Sequence, residues 1–259
     1  MANVHDGIST HGIGLDERIA LRRIIFHRQK SGFENAFSMS FDGTNDFLDC
    51  GDITILDGLT NLTVSMWVNF DTLPGTFNTA RDLFRKGSNL FSSGFGIAIA
   101  GDGGSGNGPR LQVQVPGNFM HANHSSSPIP TGQWVHVGVT MSSSGFNMYM
   151  NGVRFSSEDQ GSGVTIANNS DKLSIGSNLG SNAHDGLMDE IAVFNSTKTQ
   201  SEIQNFYNSG VPTDLTEESG LIAYWRMEEG SGSTVADSSA NSNTATLTNG
   251  PAFSTNVPS

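Results

Sequence analysis

Leu62-Thr63-Val64-Ser65-Met66-Trp67-Val68-Asn69-Phe70 carries five apolar residues at i, i+2, i+4, i+6 and i+8. A period of two is that of a strand, because successive side chains point to opposite faces. The stretch therefore reads as a half-buried β-strand. Gln133–Met141 repeats the pattern, with Val135, Val137, Val139 and Met141 on one face and Trp134, His136 and Thr140 on the other. Phe146, Met148 and Met150 alternate with Asn147 and Tyr149, and Asn151-Gly152 then supplies a type I′ hairpin turn before Val153–Phe155.

Further strand candidates are Ala36–Phe41, Phe47–Cys50, Asp82–Arg85, Phe95–Ala100, Arg110–Val115, Lys172–Ile175, Leu187–Phe194, Leu221–Met227 and Thr244–Leu247. Short strands separated by Gly/Ser/Asn turns predict an all-β, two-sheet antiparallel jelly-roll sandwich and not alternating βαβ units. One helix interrupts them at Ser201–Asn208. Ile203, Phe206 and Tyr207 cover one face, and Gly210 and Pro212 follow as stop signals. The Gly-rich stretch Gly101–Gly108 and the stretch Gly117–Thr131 read as exposed connections.

The composition agrees with many turns and few charges: 31 glycines, 36% hydrophobic and 15% charged residues in 259. A chain of this length buries a sizeable core without covalent staples. Its one cysteine, Cys50, leaves no intrachain disulfide. The formal net charge is −12. An acidic surface repels phosphate, so nucleic acid is not an expected partner. The first residues lack a charged stretch followed by an apolar one, and no apolar run is long enough for a membrane span, so neither export by a signal peptide nor a membrane partner is expected.

Residues 1–35 differ from the rest. They hold five basic residues (Arg18, Arg22, Arg23, Arg28, Lys30) and four acidic ones (Asp6, Asp16, Glu17, Glu34), a net +1, so the remainder carries −13. The apolar positions of Asp16–Lys30 form no single stripe. Residues 1–35 are read as an N-terminal arm that docks on a partner through Arg18, Arg22, Arg23 and Arg28, the alternative being an extra element packed on the same domain. Residues 36–259 are read as one sandwich.

Five motifs occur in order: Phe41-Asp42-Gly43-Thr44-Asn45-Asp46-Phe47-Leu48, Val64-Ser65-Met66-Trp67-Val68, Gly132-Gln133-Trp134-Val135-His136-Val137, Met148-Tyr149-Met150-Asn151-Gly152 and Gly186-Leu187-Met188-Asp189-Glu190-Ile191-Ala192-Val193-Phe194. Together they resemble the signature strands of the concanavalin-A-like, laminin-G/pentraxin-type domains, over about residues 36–259. Leu221–Gly230 followed by Asp237-Ser238-Ser239-Ala240-Asn241 resembles a segment that usually opens such a domain, yet here it lies near the end. The 39 residues from Leu221 are too few for a second core, so strands within residues 221–247 are expected to complete the one sandwich. The arrangement resembles proteins of marine bacteriophages and bacteria.

The resemblance implies a structural calcium ion held by Asp42, the Gly43 carbonyl and Asp189, hard oxygen ligands joining the first strand to the last. The alternative is that Asp42 caps a turn and Asp189 accepts backbone hydrogen bonds. It also implies a glycan surface bearing aromatic rings. Trp67, Trp134 and Tyr149 lie opposite the aliphatic stripes and either face such a surface or fill a second, covered apolar layer. Glycosidases of this fold carry a Glu-x-Asp-x-(x)-Glu strand, whose carboxylates share one face. No such triplet occurs, and strict alternation puts Asp189 and Glu190 on opposite faces, so a non-catalytic protein is expected. His121 and His124 read as loop histidines more than as a metal pair.

Three roles follow from these readings. The first is a virion structural protein, a capsid decoration or tail-associated subunit whose partners are other capsid or tail proteins. The second is a carbohydrate-recognition module for surface glycans. The third is a fragment of a secreted adhesin at the cell surface. A homo-oligomer is compatible with all three.

Overall fold

A computed structural model describes residues 32–75, 79–87, 94–101, 108–122, 128–155 and 161–259. Arg18, Arg22, Arg23, Arg28 and His124, and most of the Gly101–Gly108 stretch, lie outside the described residues.

The strands are β1 (Ser38–Asp42), β2 (Phe47–Asp49), β3 (Leu62–Phe70), β4 (Ala80–Lys86), β5 (Phe95–Ala100), β6 (Arg110–Val115), β7 (Asn118–His121), β8 (Trp134–Ser142), β9 (Gly145–Met150), β10 (Val153–Arg154), β11 (Leu173–Ile175), β12 (Asp185–Phe194), β13 (Leu221–Trp225), β14 (Thr234–Val235), β15 (Ala245–Thr248) and β16 (Ala252–Ser254), with helix α1 at Gln200–Tyr207. Among the described residues they form two antiparallel sheets of eight strands. The first runs β10-β9-β8-β3-β12-β1-β16, with β13 also on β12; the second runs β14-β15-β2-β11-β4-β5-β6-β7. The all-β, two-sheet sandwich with one short helix is the fold the periodicities predict. β13 pairs with β12 and β15 with β2, so the C-terminal segment adds strands to both sheets.

The stripe Leu62, Val64, Met66, Val68 and Phe70 meets Ile97, Ile99, Val113 and Phe84 of the other sheet in one continuous core. Each of these side chains contributes about 1.5–3 kcal/mol by leaving water. The predicted hairpin is present: Met150 pairs with Val153, and Asn151 and Gly152 both take positive φ (50° and 72°), as a type I′ turn requires.

β3 departs from the half-buried reading. Its other face (Thr63, Ser65, Trp67, Asn69) is buried as well, because α1 and the chain around it lie across the first sheet. Phe194, Tyr149, Tyr224, Ile203, Phe206 and Leu215 form a second apolar cluster there. Thr199 and Glu202 close a capping box, Thr199 N donating to Glu202 Oε2 at 2.7 Å and Glu202 N to Thr199 Oγ1 at 3.3 Å. Asn208 ends the helix in the left-handed conformation.

Candidate functional site

A cleft of about 400 Å³ opens at one end of the sandwich, where the β1–β2 turn, the segment after β3 and the β11–β12 connection meet. Thr44, Thr79, Arg81 and Asn182 supply polar groups to it, and Leu73 and Pro74 an apolar lip. Arg81 ties the turns together: Nη1 donates to the Gly43 carbonyl at 3.1 Å and to the Ala183 carbonyl at 2.8 Å. Gly43 has φ +73°, and a Cβ there would meet Asp185 Cβ at 2.8 Å, so the turn closes this tightly only on glycine.

Behind the cleft runs a chain of polar side chains on the outer face of the second sheet. Asn182 Nδ2 donates to Asp82 Oδ2 at 3.3 Å, and Arg85 Nη1 donates to Asp82 at 3.3 Å and to Gln114 Oε1 at 3.4 Å. Gln114 Nε2 donates to Gln112 Oε1 at 2.5 Å, and Gln112 Nε2 is 2.5 Å from His121 Nε2. Strand register builds this row. Arg85 pairs with Gly96 and Gly96 with Gln114; Asp82 pairs with Ala98, Ala98 with Gln112 and Gln112 with His121. The small residues Gly96 and Ala98 leave a low floor between longer polar chains. Burial pushes the Asp82 carboxyl up, the Arg85 guanidinium only partly offsetting it.

The sequence-predicted site residues are scattered. Asp42 sits at the rim, where Oδ1 accepts from Thr44 N at 2.8 Å. The Gly43 carbonyl already accepts from Arg81. β1 pairs Asp42 with Asp185 and Met39 with Met188. Asp189 is thus four residues along the strand from that point, about 13 Å away at ~3.3 Å per residue. The expected calcium ligands Asp42, Gly43 and Asp189 therefore do not converge, and the guanidinium on the Gly43 carbonyl is a poor neighbour for a cation. Among the described residues no group of three or more His, Cys, Asp and Glu side chains is placed to hold a metal ion.

Trp67 and Tyr149 are each only 3% exposed. Trp67 lies 5.8 Å from the Tyr207 ring and 5.4 Å from His136, beneath the helix. These two rings fill a covered layer and do not present a glycan surface. Trp134 is partly exposed, and its Nε1 donates to Asn256 Oδ1 at 3.0 Å. Ser65 Oγ and His136 Nε2 stand 2.8 Å apart, but both are buried, and burial lowers His136 to about 3.

A second polar cluster lies on the outer face of the first sheet, and here strict alternation fails. Asp189 pairs with Trp67 and Ala192 with Ser65, so a bulge adds one residue to β12. Glu190 takes φ +49° in it. Met188 and Ile191 face the core, while Glu190 turns outward like Asp189: Tyr224 Oη donates to Glu190 Oε2, and Arg226 Nε donates to Glu190 Oε1 at 3.3 Å. The two carboxylates thus share a face, contrary to the period-two expectation. Burial pushes both up, Glu190 to about 8 and Asp189 well above the carboxylate range. Glu228 and Asn35 complete the cluster.

No helix among the described residues is long and apolar enough to cross a membrane. A search of curated protein sequences finds no match. A candidate carbohydrate binding protein from Bacteroides ovatus ATCC 8483 has a similar structure, at 18% identity and a TM-score of 0.60, over 87% of this chain. This chain spans 62% of the length of that protein. The heptameric SAP-like pentraxin of Limulus polyphemus matches over 67% of this chain and 82% of its own, at 18% identity and a TM-score of 0.51. Tailspike protein 2 of an Escherichia coli O157:H7 bacteriophage matches over 78% of this chain and 31% of its own, at 15% identity and a TM-score of 0.52. At these identities the likeness is one of fold. A family model described as the concanavalin A-like lectin/glucanases superfamily, of laminin-G type, matches residues 42–204. Sheet order, core and family model agree, and the chain belongs to the concanavalin A-like lectin/glucanase superfamily.

Proposed function

We propose that this protein is a non-catalytic, lectin-like module that binds a glycan in the cleft at the end of the sandwich. The observation that carries this reading is the cleft's chemistry. Thr44 and Thr79 hydroxyls, the Asn182 amide and the Arg81 guanidinium surround an apolar Leu73–Pro74 lip. Sugars present hydroxyls to the first kind of group and C–H faces to the second, and small-ligand sites combine a few placed polar groups with apolar walls. The structural likeness to the candidate carbohydrate binding protein supports the same reading.

Glycan-array screening of the whole chain, followed by calorimetry on the strongest hit, tests it. Arg81→Ala and Thr79→Ala should each weaken binding at least about tenfold, the loss of one or two hydrogen bonds. Thr79→Ala should leave the melting temperature unchanged. No binding to any glycan, or binding unaltered in both variants, overturns the proposal.

We further propose that the module is a capsid decoration or tail-associated subunit of a virion, docked through the arm bearing Arg18, Arg22, Arg23 and Arg28. The likeness to a phage tailspike supports this setting. So does the way Arg226 and Glu228 fix residues 34–37 on the sandwich, which gives the preceding chain a defined point of departure. Removing residues 1–31 should abolish association with the particle while leaving the melting temperature of the sandwich unchanged. A truncated chain that still joins the particle overturns the docking role.

A further inference from the structure

Among the described residues that line the cleft at the end of the sandwich, Arg81 is the only charged one. The chain as a whole has 13 Lys and Arg against 25 Asp and Glu. In such an excess of carboxylates most cations find a partner. Arg85, Lys86, Lys172, Lys198 and Arg226 each hold a carboxylate oxygen within 3.3 Å of a side-chain nitrogen. Arg81 forms no ion pair with a described residue, and its hydrogen bonds go to two main-chain carbonyls.

Those two bonds decide what is left over. Both come from Nη1, at 3.1 Å to Gly43 and 2.8 Å to Ala183, so the two protons of Nη1 are spent. Nε and Nη2 remain, on one edge of the planar group, with parallel N–H donors. That edge matches the two oxygens of a carboxylate, which it takes as a bidentate, charge-assisted pair. A sugar hydroxyl offers a single oxygen and fills only half of it. Arg81 is partly exposed, at the start of β4. Because Nη1 is tied to two turns, the edge is set before a ligand arrives, and little side-chain freedom is lost on binding.

Two carboxylates near the cleft limit how much negative charge can enter. Asp42 is exposed at the rim, where it accepts from Thr44 N at 2.8 Å. Asp185 packs against Gly43 and accepts from Thr72 Oγ1. Like charges repel in proportion to their number, so a polyanion is opposed more strongly than a single carboxylate.

We infer that the cleft selects a saccharide bearing one carboxylate, of the uronic or sialic acid class, and that the Nε–Nη2 edge of Arg81 holds that carboxylate. The inference rests on the reading of the cleft as a glycan site and adds to it the class of sugar. The ring hydroxyls meet Thr44, Thr79 and Asn182, and a C–H face lies on Leu73 and Pro74.

The test is a glycan array of matched acidic and neutral pairs probed with the full chain. Sialyllactose with lactose, and glucuronyl-xylotriose with xylotriose, are two such pairs. Calorimetry follows on the tightest pair. The acidic member should bind at least about tenfold tighter than the neutral one. Arg81→Lys keeps the charge and loses the fork, and should cut that preference to under about threefold. Asp42→Asn removes one repelling charge and should tighten the acidic member about two- to fivefold. Acidic and neutral members bound equally overturn the inference and leave the glycan reading standing. No binding to any glycan overturns both. A full acidic preference in Arg81→Lys with the wild-type melting temperature overturns the role of the fork, and acidic binding that Asp42→Asn does not tighten overturns the charge argument. A Glu-rich peptide bound as tightly as the acidic sugar overturns the saccharide assignment.

Discussion

Raising the pH from 6.5 to 8 should destabilise this protein, and Glu190 is a principal cause. Glu190 ionises near 4.5 as a free side chain, but burial holds it at about 8 in the fold, against the opposing pull of the Arg226 guanidinium and the Tyr224 hydroxyl. A folded pKa above the unfolded one means that the fold keeps a proton the unfolded chain has lost. The associated stability is whole below the unfolded value and drains away as pH rises through the folded one. One proton of difference corresponds to about 1.4 kcal/mol per pH unit, so the 1.5 units from 6.5 to 8 cost about 2 kcal/mol. Asp189, raised in the same direction by burial and by Glu190, adds to the fall.

Below 6.5 the buried histidines oppose this slope. His136 and His184 are lowered to about 3 and about 4, so the unfolded chain takes up protons that the fold refuses. Their effect ends near 6.5, which leaves the carboxyls to act alone above it. Urea unfolding followed by tryptophan fluorescence at pH 6.5 and 8, at one ionic strength, measures the difference. Glu190→Gln should remove the Glu190 share of it, because an amide has no proton to lose. Equal stability at both pH values, or an undiminished slope in Glu190→Gln, would refute the reasoning.

Other substitutions probe the packing. Phe206→Ala removes a ring stacked 5.3 Å from Phe194 beneath the helix and should cost about 3–5 kcal/mol in urea unfolding. A cost under about 1 kcal/mol would mean the helix does not seal that face. Thr199→Ala opens the capping box and should cost about 1 kcal/mol by the same measurement. Asp237 accepts from Tyr224 N, Ser239 N and Asn243 N, each at 2.8 Å. Asp237→Ala should therefore cost at least about 3 kcal/mol and expose the Trp225 region to hydrogen exchange.

The strands, the Asn151-Gly152 hairpin and the helix were legible because each is encoded within a few consecutive residues. Alternation marks a pleated face, Asn-Gly suits two positive φ angles, and spacings of three and four mark a helix face. The aromatic rings were legible only halfway. Alternation places Trp67 and Tyr149 off the core stripe, but it carries no trace of a helix more than 50 residues later in the chain folding over them. The polar row from Asn182 to His121 was not legible, because its members come from separate strands and meet only through register. Asp189 and Glu190 misled for a local reason: one bulged residue resets the alternation, and no glycine marks the positive φ at Glu190.

By itself the amino-acid sequence determined the architecture: two antiparallel sheets, one short helix, an acidic body and no carboxylate triplet on a strand. Those properties depend on local periodicity and composition, which the chain carries wherever it goes. Tertiary structure alone decided which chemistry assembles. Strand offset separates Asp42 from Asp189, while a bulge brings Asp189 to Glu190, and the C-terminal segment carries Arg226 and Glu228 to either side of Asn35. The physical reason is that a site is made of distances between residues remote in sequence. Only the register of paired strands and the packing of sheet against helix set those distances.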